Sequence, residues 1–208
     1  MTSIRHKQEQ RSRGPRTGHD RVLDAARDCV LAVGVRRTTL TDVARRAGVS
    51  RMTLYRRWPD VRSLVADLMT REFVALVRGV VRIEPGRPTG PQVVDSLVRC
   101  VRAFRGHPLF RKIIEVDPEL LLPYLLERRG TSQEAMLGLL ERDLLAGHAD
   151  GSVRAGDATR QARAVLLVVQ SFVMSAHTMT DAGAADRAVA TASLDDELRR
   201  ILEGYLLP

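Results

Sequence analysis

The chain has 208 residues, of which 44% are hydrophobic, so it suits either one domain or a small domain joined to a larger one with a sizeable core. The first twenty residues lack the apolar stretch of a secretory signal, and the longest apolar run, within residues 164–174, is too short for a membrane span of roughly 20 residues. Two cysteines without CxxC spacing indicate a reducing compartment, so we expect a cytoplasmic protein with no membrane partner.

Positive charge is concentrated in the first third of the chain. Residues 1–63 contain 15 Lys and Arg against 6 Asp and Glu, a net charge of +9, whereas residues 64–208 contain 18 against 19, a net charge of −1. This asymmetry indicates a polyanionic partner, usually nucleic acid, although a solvated basic surface is the alternative. Residues 1–18, which are basic and poor in apolar groups, predict a disordered arm that either contacts DNA or is an inert terminus.

Apolar residues at helical spacing predict three helices within residues 19–65. They cover residues 20–33, 40–46 and 51–57. Thr39 and Ser50 are suited to cap the second and third helices, and Gly48 allows a tight turn between them. Pro59 ends the third helix, and Leu54 and Trp58, at positions i and i+4, are expected to point inward.

Helical stripes continue from residue 60 to the end of the chain, with no strand pattern and no internal repeat, so the predicted fold class is all-α. The predicted helices cover residues 60–83, 94–104, 119–127, 132–146, 157–180 and 194–205, with loops at 84–91 and 147–156. The helix over residues 157–180 is apolar nearly all round, which predicts burial on every side. In a domain this small, we expect one of those sides to meet another subunit.

The second and third helices, joined by Ala47-Gly48-Val49-Ser50, form a predicted helix-turn-helix. The second helix of such a unit lies in the major groove of DNA and contacts bases with its N-terminal residues. Arg51 suits the guanine edge, while Met52 and the Thr53 methyl suit a thymine methyl. Hydroxyl and guanidinium groups would bond phosphates. The predicted DNA-binding residues are Thr39, Thr41, Ser50, Arg51, Met52, Thr53, Tyr55, Arg56 and Arg57.

This helix-turn-helix resembles the N-terminal signature of the tetracycline-repressor (TetR) family of bacterial regulators over about residues 20–65. The resembling residues are Thr38-Thr39, Asp42-Val43-Ala44, Ala47-Gly48-Val49-Ser50, Thr53-Leu54-Tyr55, Trp58-Pro59 and Leu64. Trp58 stands where Phe is more common. Val61 stands where the family often has a phosphate-binding Lys, so that contact is either absent or made by Arg62.

The resemblance implies a homodimer that reads two half-sites of a double-stranded DNA operator, about one helical turn or a multiple apart. A small-molecule effector in the C-terminal domain would shift the two DNA-binding heads and lower operator affinity. We therefore expect a basic arm over residues 1–18, a DNA-binding domain over 19–65, and an effector-binding and dimerisation domain over 66–208. The helices around 157–180 and 194–206 are the expected dimer interface, preceded by Gly151-Ser152-Val153-Arg154, which resembles the lead-in to the family's dimer helix.

Candidate residues for an effector pocket are apolar or aromatic, as ligand pockets usually are. The same residues at helical spacing fit a plain hydrophobic core equally well, and His177 also fits a core or interface histidine with a satisfied partner. The candidates are Phe104, Phe110, Tyr124, Met136, Met174 and His177. The five histidines show no metal-ligand spacing and no nucleotide-binding motif is present, so we expect neither metal nor cofactor.

Three functions are compatible with the sequence. The leading one is a ligand-responsive transcriptional repressor. An activator, or a ligand-independent DNA-binding protein, would carry the same DNA-binding head. An all-α enzyme with a basic appendage is a remote alternative, because no pair of acid and base groups supports it.

Overall fold

The computed structural model describes residues 18–179 and 187–208. In the second of these ranges, side chains are described from residue 192 onward. No strand occurs within the described residues. The all-α fold class is thus confirmed. The predicted basic arm lies outside the described residues except for Gly18, which begins the first helix. The helices are α1 (Gly18–Val33), α2 (Leu40–Ala47), α3 (Arg51–Arg57), α4 (Val61–Val80), α5 (Thr89–Gly106), α6 (Pro108–Val116), α7 (Leu122–Leu126), α8 (Thr131–Ala149), α9 (Ala158–Ser175) and α10 (Arg187–Leu206).

The chain divides into two compact units, of which the first ends at Leu68. In this unit α1 packs against α2, and α2 packs against α3. Its interior is formed by fully buried aliphatic side chains and one tryptophan: Val22, Leu23, Ala26, Val30, Leu40, Val43, Leu54, Trp58, Leu64 and Leu68. Gly48 ends α2 in the left-handed conformation at φ 66°, which glycine adopts without steric cost.

The second unit, Met69–Pro208, has a main core formed by α5, α8, α9 and α10. Each helix contributes one apolar stripe at helical spacing. The buried residues are Val93, Val94, Val98 and Val101 of α5, Leu137 and Leu144 of α8, Ala158, Ala162, Val165 and Val169 of α9, and Leu198, Leu202 and Leu206 of α10, together with Val153.

A smaller group, here called the aromatic cluster, consists of Phe73, Val77, Cys100, Phe104 and Phe110. The three phenylalanine rings meet edge to face, with centroids 4.8 Å apart for Phe73 and Phe104 and 5.7 Å for Phe73 and Phe110. Such edge-to-face pairs add about 0.5–1.5 kcal/mol beyond their area burial. The cluster therefore fixes the C-terminal part of α4 against α5 and α6.

Several predicted boundaries were wrong, and proline explains two of the differences. The predicted loop over 84–91 ends early, because Pro91 lies in the first turn of α5, where a missing N–H costs nothing. The predicted helix over 119–127 is a 3-10 turn, Pro118–Leu120, followed by the short α7, whose second residue is Pro123. Helix α8 runs to Ala149, three residues into the predicted turn.

Helix α9 with the following 3-10 turn, Ala158–Met179, is long and apolar enough to cross a membrane by length and composition alone. The apolar run within residues 164–174 is only part of this helix, so the prediction that it is too short to span a membrane was wrong on length. Core helices of soluble proteins pass the same test, and one face of α9 packs in the main core through Ala162, Val165 and Val169. Within one chain Leu167 of α9 is 71% exposed, so burial on every side, which was predicted to involve another subunit, stays a prediction.

Candidate nucleic-acid interface

Helix α3 presents six of its seven side chains to solvent. Only Leu54 is buried, at 0% exposure, and it holds the helix on the first unit together with Trp58, which follows α3 directly. Met52 is 78% exposed and Tyr55 50%. The prediction that Leu54 and Trp58 point inward is confirmed. The exposed residues are Arg51, Met52, Thr53, Tyr55, Arg56 and Arg57.

The start of α3 is fixed by Ser50. Its hydroxyl accepts a hydrogen bond from the backbone N–H of Thr53 at 3.2 Å, and the hydroxyl oxygens of Ser50 and Thr53 lie 2.8 Å apart. Capping of this kind stabilises a helix by about 1 kcal/mol. A seven-residue helix is marginal alone, so the cap and the buried Leu54 position its side chains.

Thr39 is the N-cap of α2, as Ser50 is of α3. Its hydroxyl accepts from the backbone N–H of Asp42 at 3.1 Å and donates to the Asp42 carboxylate at 2.6 Å, while Arg45 donates to that carboxylate at 2.9 Å. The hydroxyl hydrogen of Thr39 is thus committed within the protein in this structure. Thr41, the other predicted phosphate contact on α2, is half-buried.

The C-terminal end of α3 is anchored by the indole ring of Trp58. Its Nε1 donates to Oδ2 of Asp67 at 2.9 Å, and the ring stacks on His19 with centroids 5.4 Å apart. The Arg57 guanidinium carbon lies 5.2 Å from the Trp58 ring centroid, within cation–π range. Trp58, which stands where Phe is more common, therefore provides a hydrogen bond that Phe lacks.

Uncompensated positive charge is the main electrostatic feature of α3. The helix has three arginines and no acidic residue. Within the described part of the chain, the structure assigns neither Arg51 nor Arg56 a hydrogen bond or an ion pair. Because the N-terminal end of a helix disfavours a cation by about 0.3–1 kcal/mol, Arg51 in the first turn does not serve the stability of α3.

Val61 and Arg62, which follow α3, lie where the TetR family often has a phosphate-binding Lys. Val61 is half-buried at the first position of α4, whereas Arg62 is exposed and faces solvent. Asp60 caps α4 by accepting from the backbone N–H of Ser63 at 2.7 Å. The hydrogen bonds from the backbone and hydroxyl of Ser63 lower the pKa of Asp60 below its ordinary value. Arg62 is therefore the solvent-exposed cation at the start of α4.

The six candidate effector-binding residues lie in different parts of the second unit. Phe104 and Phe110 belong to the aromatic cluster, and Met136 and Met174 pack against it. Tyr124 lies apart on α7, with the Arg128 guanidinium carbon 5.4 Å from its ring centroid. His177 lies in the 3-10 turn after α9 and is exposed within one chain, whereas the sequence placed it inside the predicted helix over residues 157–180.

A cavity of about 390 Å³ opens beside the aromatic cluster, between α4, α5, α8 and α9. Phe104 and Met136 are the two candidates that line it. The polar residues of its lining were not predicted from the sequence, because their position depends on how the four helices pack. The lining residues are Val77, Arg78, Val81, Ile83, Val93, Ser96, Leu97, Cys100, Phe104, Met136, Leu137, Leu139, Leu140, Arg142, Asp143, Leu166 and Val169.

Comparisons with known proteins agree with this architecture. The family model described as bacterial regulatory proteins, tetR family, matches residues 22–68. An uncharacterized HTH-type transcriptional regulator of Mycobacterium bovis is 40% identical over 186 residues, which cover 89% of this chain and 93% of the relative.

Solved structures share the fold over most of the chain. The TetR-family transcriptional repressor QsdR of Rhodococcus erythropolis has a TM-score of 0.64 at 17% identity, covering 90% of this chain and 95% of its own. A SmeT–triclosan complex has a TM-score of 0.58 at 20% identity, covering 93% of each chain. Together with the matching helix-turn-helix, the 40% identity to a regulator over most of both chains assigns the function. The chain belongs to the TetR family and is a DNA-binding transcriptional regulator.

Proposed function

We propose that the protein is a homodimeric repressor that binds an inverted-repeat operator and is released from it by a small molecule. The exposed face of α3 carries the proposal. A short helix that keeps three arginines and a methionine in solvent, held by a cap at Ser50 and by the buried Leu54, is suited to enter a major groove.

We propose two kinds of DNA contact, one to base edges and one to the phosphate backbone. Arg51, Met52 and Thr53 lie in the first turn of α3, the part that contacts base edges in helix-turn-helix proteins. A free arginine fork matches the O6 and N7 atoms of guanine. Tyr55, Arg56, Arg57 and Thr41 would bond phosphates and fix the register of α3 on the duplex. Thr39 would join them only by giving up its hydrogen bond to Asp42.

Dimerisation is supported by the apolar groups that a single chain leaves exposed on α9 and α10. Leu167 of α9 is 71% exposed and Ile201 of α10 is 46% exposed. Burying exposed aliphatic side chains against a second copy stabilises a complex, and a two-fold dimer is the commonest arrangement. A dimer also matches the two-fold symmetry of an inverted repeat.

Release by a small molecule is supported by the cavity of the second unit. Its volume of about 390 Å³ and its mostly apolar lining fall in the range of ligand sites. The structurally similar SmeT has been solved in complex with triclosan. In this protein, a molecule in the cavity would act by binding more tightly to the dimer shape that fits DNA poorly. The site of action is the cytoplasm, where the DNA lies.

Selection of bound duplexes from a random DNA library, with purified protein at moderate salt, tests the proposal. We expect enrichment of an inverted repeat. A folded protein that enriches no sequence, and whose binding only falls steeply with salt, would be a general DNA-binding protein instead.

A further inference from the structure

The charged side chains that line the cavity carry a net positive charge. Arg78, Arg142 and Asp143 are the charged residues that line it. Asp143 is 14% exposed and accepts from Nε of Arg142 at 3.0 Å and from Nη2 at 2.8 Å. This pair is neutral overall. Arg78 therefore supplies the net charge of the cavity wall.

Arg78 has no partner for its guanidinium among the described residues. It lies in the last turn of α4, with its side chain exposed at the cavity, and its backbone carbonyl accepts a hydrogen bond from Nη1 of Arg82 at 3.4 Å. A cation near a helix C-terminus is stabilised by the helix dipole, so the arginine is tolerated there without a carboxylate. Its five N–H donors are left for water or a ligand.

The other polar groups of the cavity carry no charge. Ser96 is buried, and its hydroxyl accepts from Nη2 of Arg99 at 3.0 Å. Burial raises the pKa of the Cys100 thiol to about 11, so this side chain stays protonated and behaves as a small apolar group. The rest of the wall is aliphatic or aromatic, including Leu97, Phe104 and Leu140.

We propose that the ligand of this cavity is an amphipathic monoanion, with an apolar body among α5, α8 and α9 and a carboxylate or similar head group bound by Arg78. Among the residues that line the cavity, Arg78 is the arginine without a carboxylate partner, so the wall attracts an anion and repels a cation, and one arginine fork matches one carboxylate. Arginine binds a planar carboxylate through two parallel hydrogen bonds, which places the head group at the end of α4. The inference rests on the proposed function only for the consequence of binding, not for binding itself.

Isothermal titration of the full-length protein with octanoate, octanol and octylamine tests the proposal without DNA. The three probes share one apolar chain and differ in head-group charge. We expect octanoate to bind about tenfold more tightly than octanol, and octylamine most weakly, as charge-assisted hydrogen bonds require. Equal binding of octanoate and octanol, or no binding of octanoate at millimolar concentration, would overturn the proposal.

Two matched variants locate the head group. Arg78→Gln should lower octanoate affinity about tenfold and remove the preference over octanol. Arg82→Gln removes the same charge from the same end of α4, but Arg82 does not line the cavity, so octanoate affinity should change less than about twofold. Equal losses in both variants would show that general surface charge, and not Arg78, attracts the anion. Both residues are exposed, so neither change threatens folding.

Operator binding is measured separately, so that the two proposals can fail independently. If octanoate binds through Arg78 but leaves operator affinity unchanged, the ligand class stands and release by a ligand fails. If octanol releases the protein from DNA while octanoate does not bind, the repressor proposal stands and the anionic ligand class is wrong.

Discussion

Nε1 of Trp58 donates a hydrogen bond to Oδ2 of Asp67 at 2.9 Å, which joins the residue after α3 to the second turn of α4. Replacing Trp58 by Phe keeps an aromatic ring but removes this donor. We expect Trp58→Phe to lower the free energy of unfolding by about 1–2 kcal/mol, measured by urea denaturation. Asp67→Asn retains an acceptor and should cost less than half as much. Unchanged stability in Trp58→Phe would mean that water replaces the bond fully.

Leu54 and Met52 are neighbours on α3 with opposite environments, at 0% and 78% exposure. Leu54→Ala should destabilise the first unit by about 2–5 kcal/mol, because it leaves a cavity beneath α3. Met52→Ala should change stability by less than about 0.5 kcal/mol. Thermal unfolding followed by circular dichroism measures both. Similar losses in the two variants would contradict the described orientation of α3.

Arg51 is the residue of α3 that we propose to select a base. Arg51→Ala should relax selection at one base pair in each half-site, a loss of about 1–3 kcal/mol of discrimination. Library selection with the variant and the wild-type protein in parallel measures this. Arg62→Ala is the matched control, because a phosphate contact should weaken binding to all sequences alike and reduce the salt slope. Uniform weakening by Arg51→Ala would reassign Arg51 to the DNA backbone.

Asp150 links the end of α8 to the start of α5. It accepts from the backbone N–H of Thr89 at 2.8 Å and from that of Ser152 at 2.9 Å, and also from the Ser152 hydroxyl. Hydrogen bonds from the Ser152 side chain, and then from Thr89, hold the pKa of Asp150 well below its ordinary value.

A carboxyl group with a lowered pKa in the folded state adds stability that is complete above its unfolded pKa, about 3.9, and is lost as the pH falls below it. Asp150→Asn should therefore lower the melting temperature at pH 7 and bring it closer to that of the wild-type protein as the pH falls below about 4. Asp196→Asn, at an exposed position on α10, is the control. A difference between Asp150→Asn and wild type that does not depend on pH would exclude this ionic contribution.

Alanine substitutions at Gly90 and Gly138, compared with each other, test the packing of the second unit. A Cβ at Gly90 would collide with the carbonyl oxygen of Ser152 and lie 2.8 Å from Cδ2 of Leu207, whereas a Cβ at Gly138 has open space. Gly90→Ala should destabilise the protein by about 1–3 kcal/mol. Gly138→Ala, inside α8, should stabilise it by about 0.5–1 kcal/mol. Urea denaturation measures both, and a stabilising Gly90→Ala would contradict the close contact of α5 with Ser152.

The first unit was well predicted from sequence because its signals are local. Thr39, Ser50 and Gly48 mark helix ends within three or four residues, and the structure confirms each of them. The second unit was predicted less well. The interruption at Pro118 to Pro123 and the exposure of His177 depend on packing between segments far apart in the chain. Arg78 carries no sequence signal either, since only the meeting of α4, α5, α8 and α9 makes it a cavity residue.

The most direct test of a dimer that reads two half-sites compares one enriched duplex with the same duplex in which one half-site is scrambled. Affinity at fixed salt and the mass of each complex are measured together. We predict that the intact repeat binds two chains, and that scrambling one half-site lowers affinity at least about tenfold, since several base contacts are lost together. Equal affinity for both duplexes, or one chain per intact repeat, would contradict a dimeric operator-binding repressor.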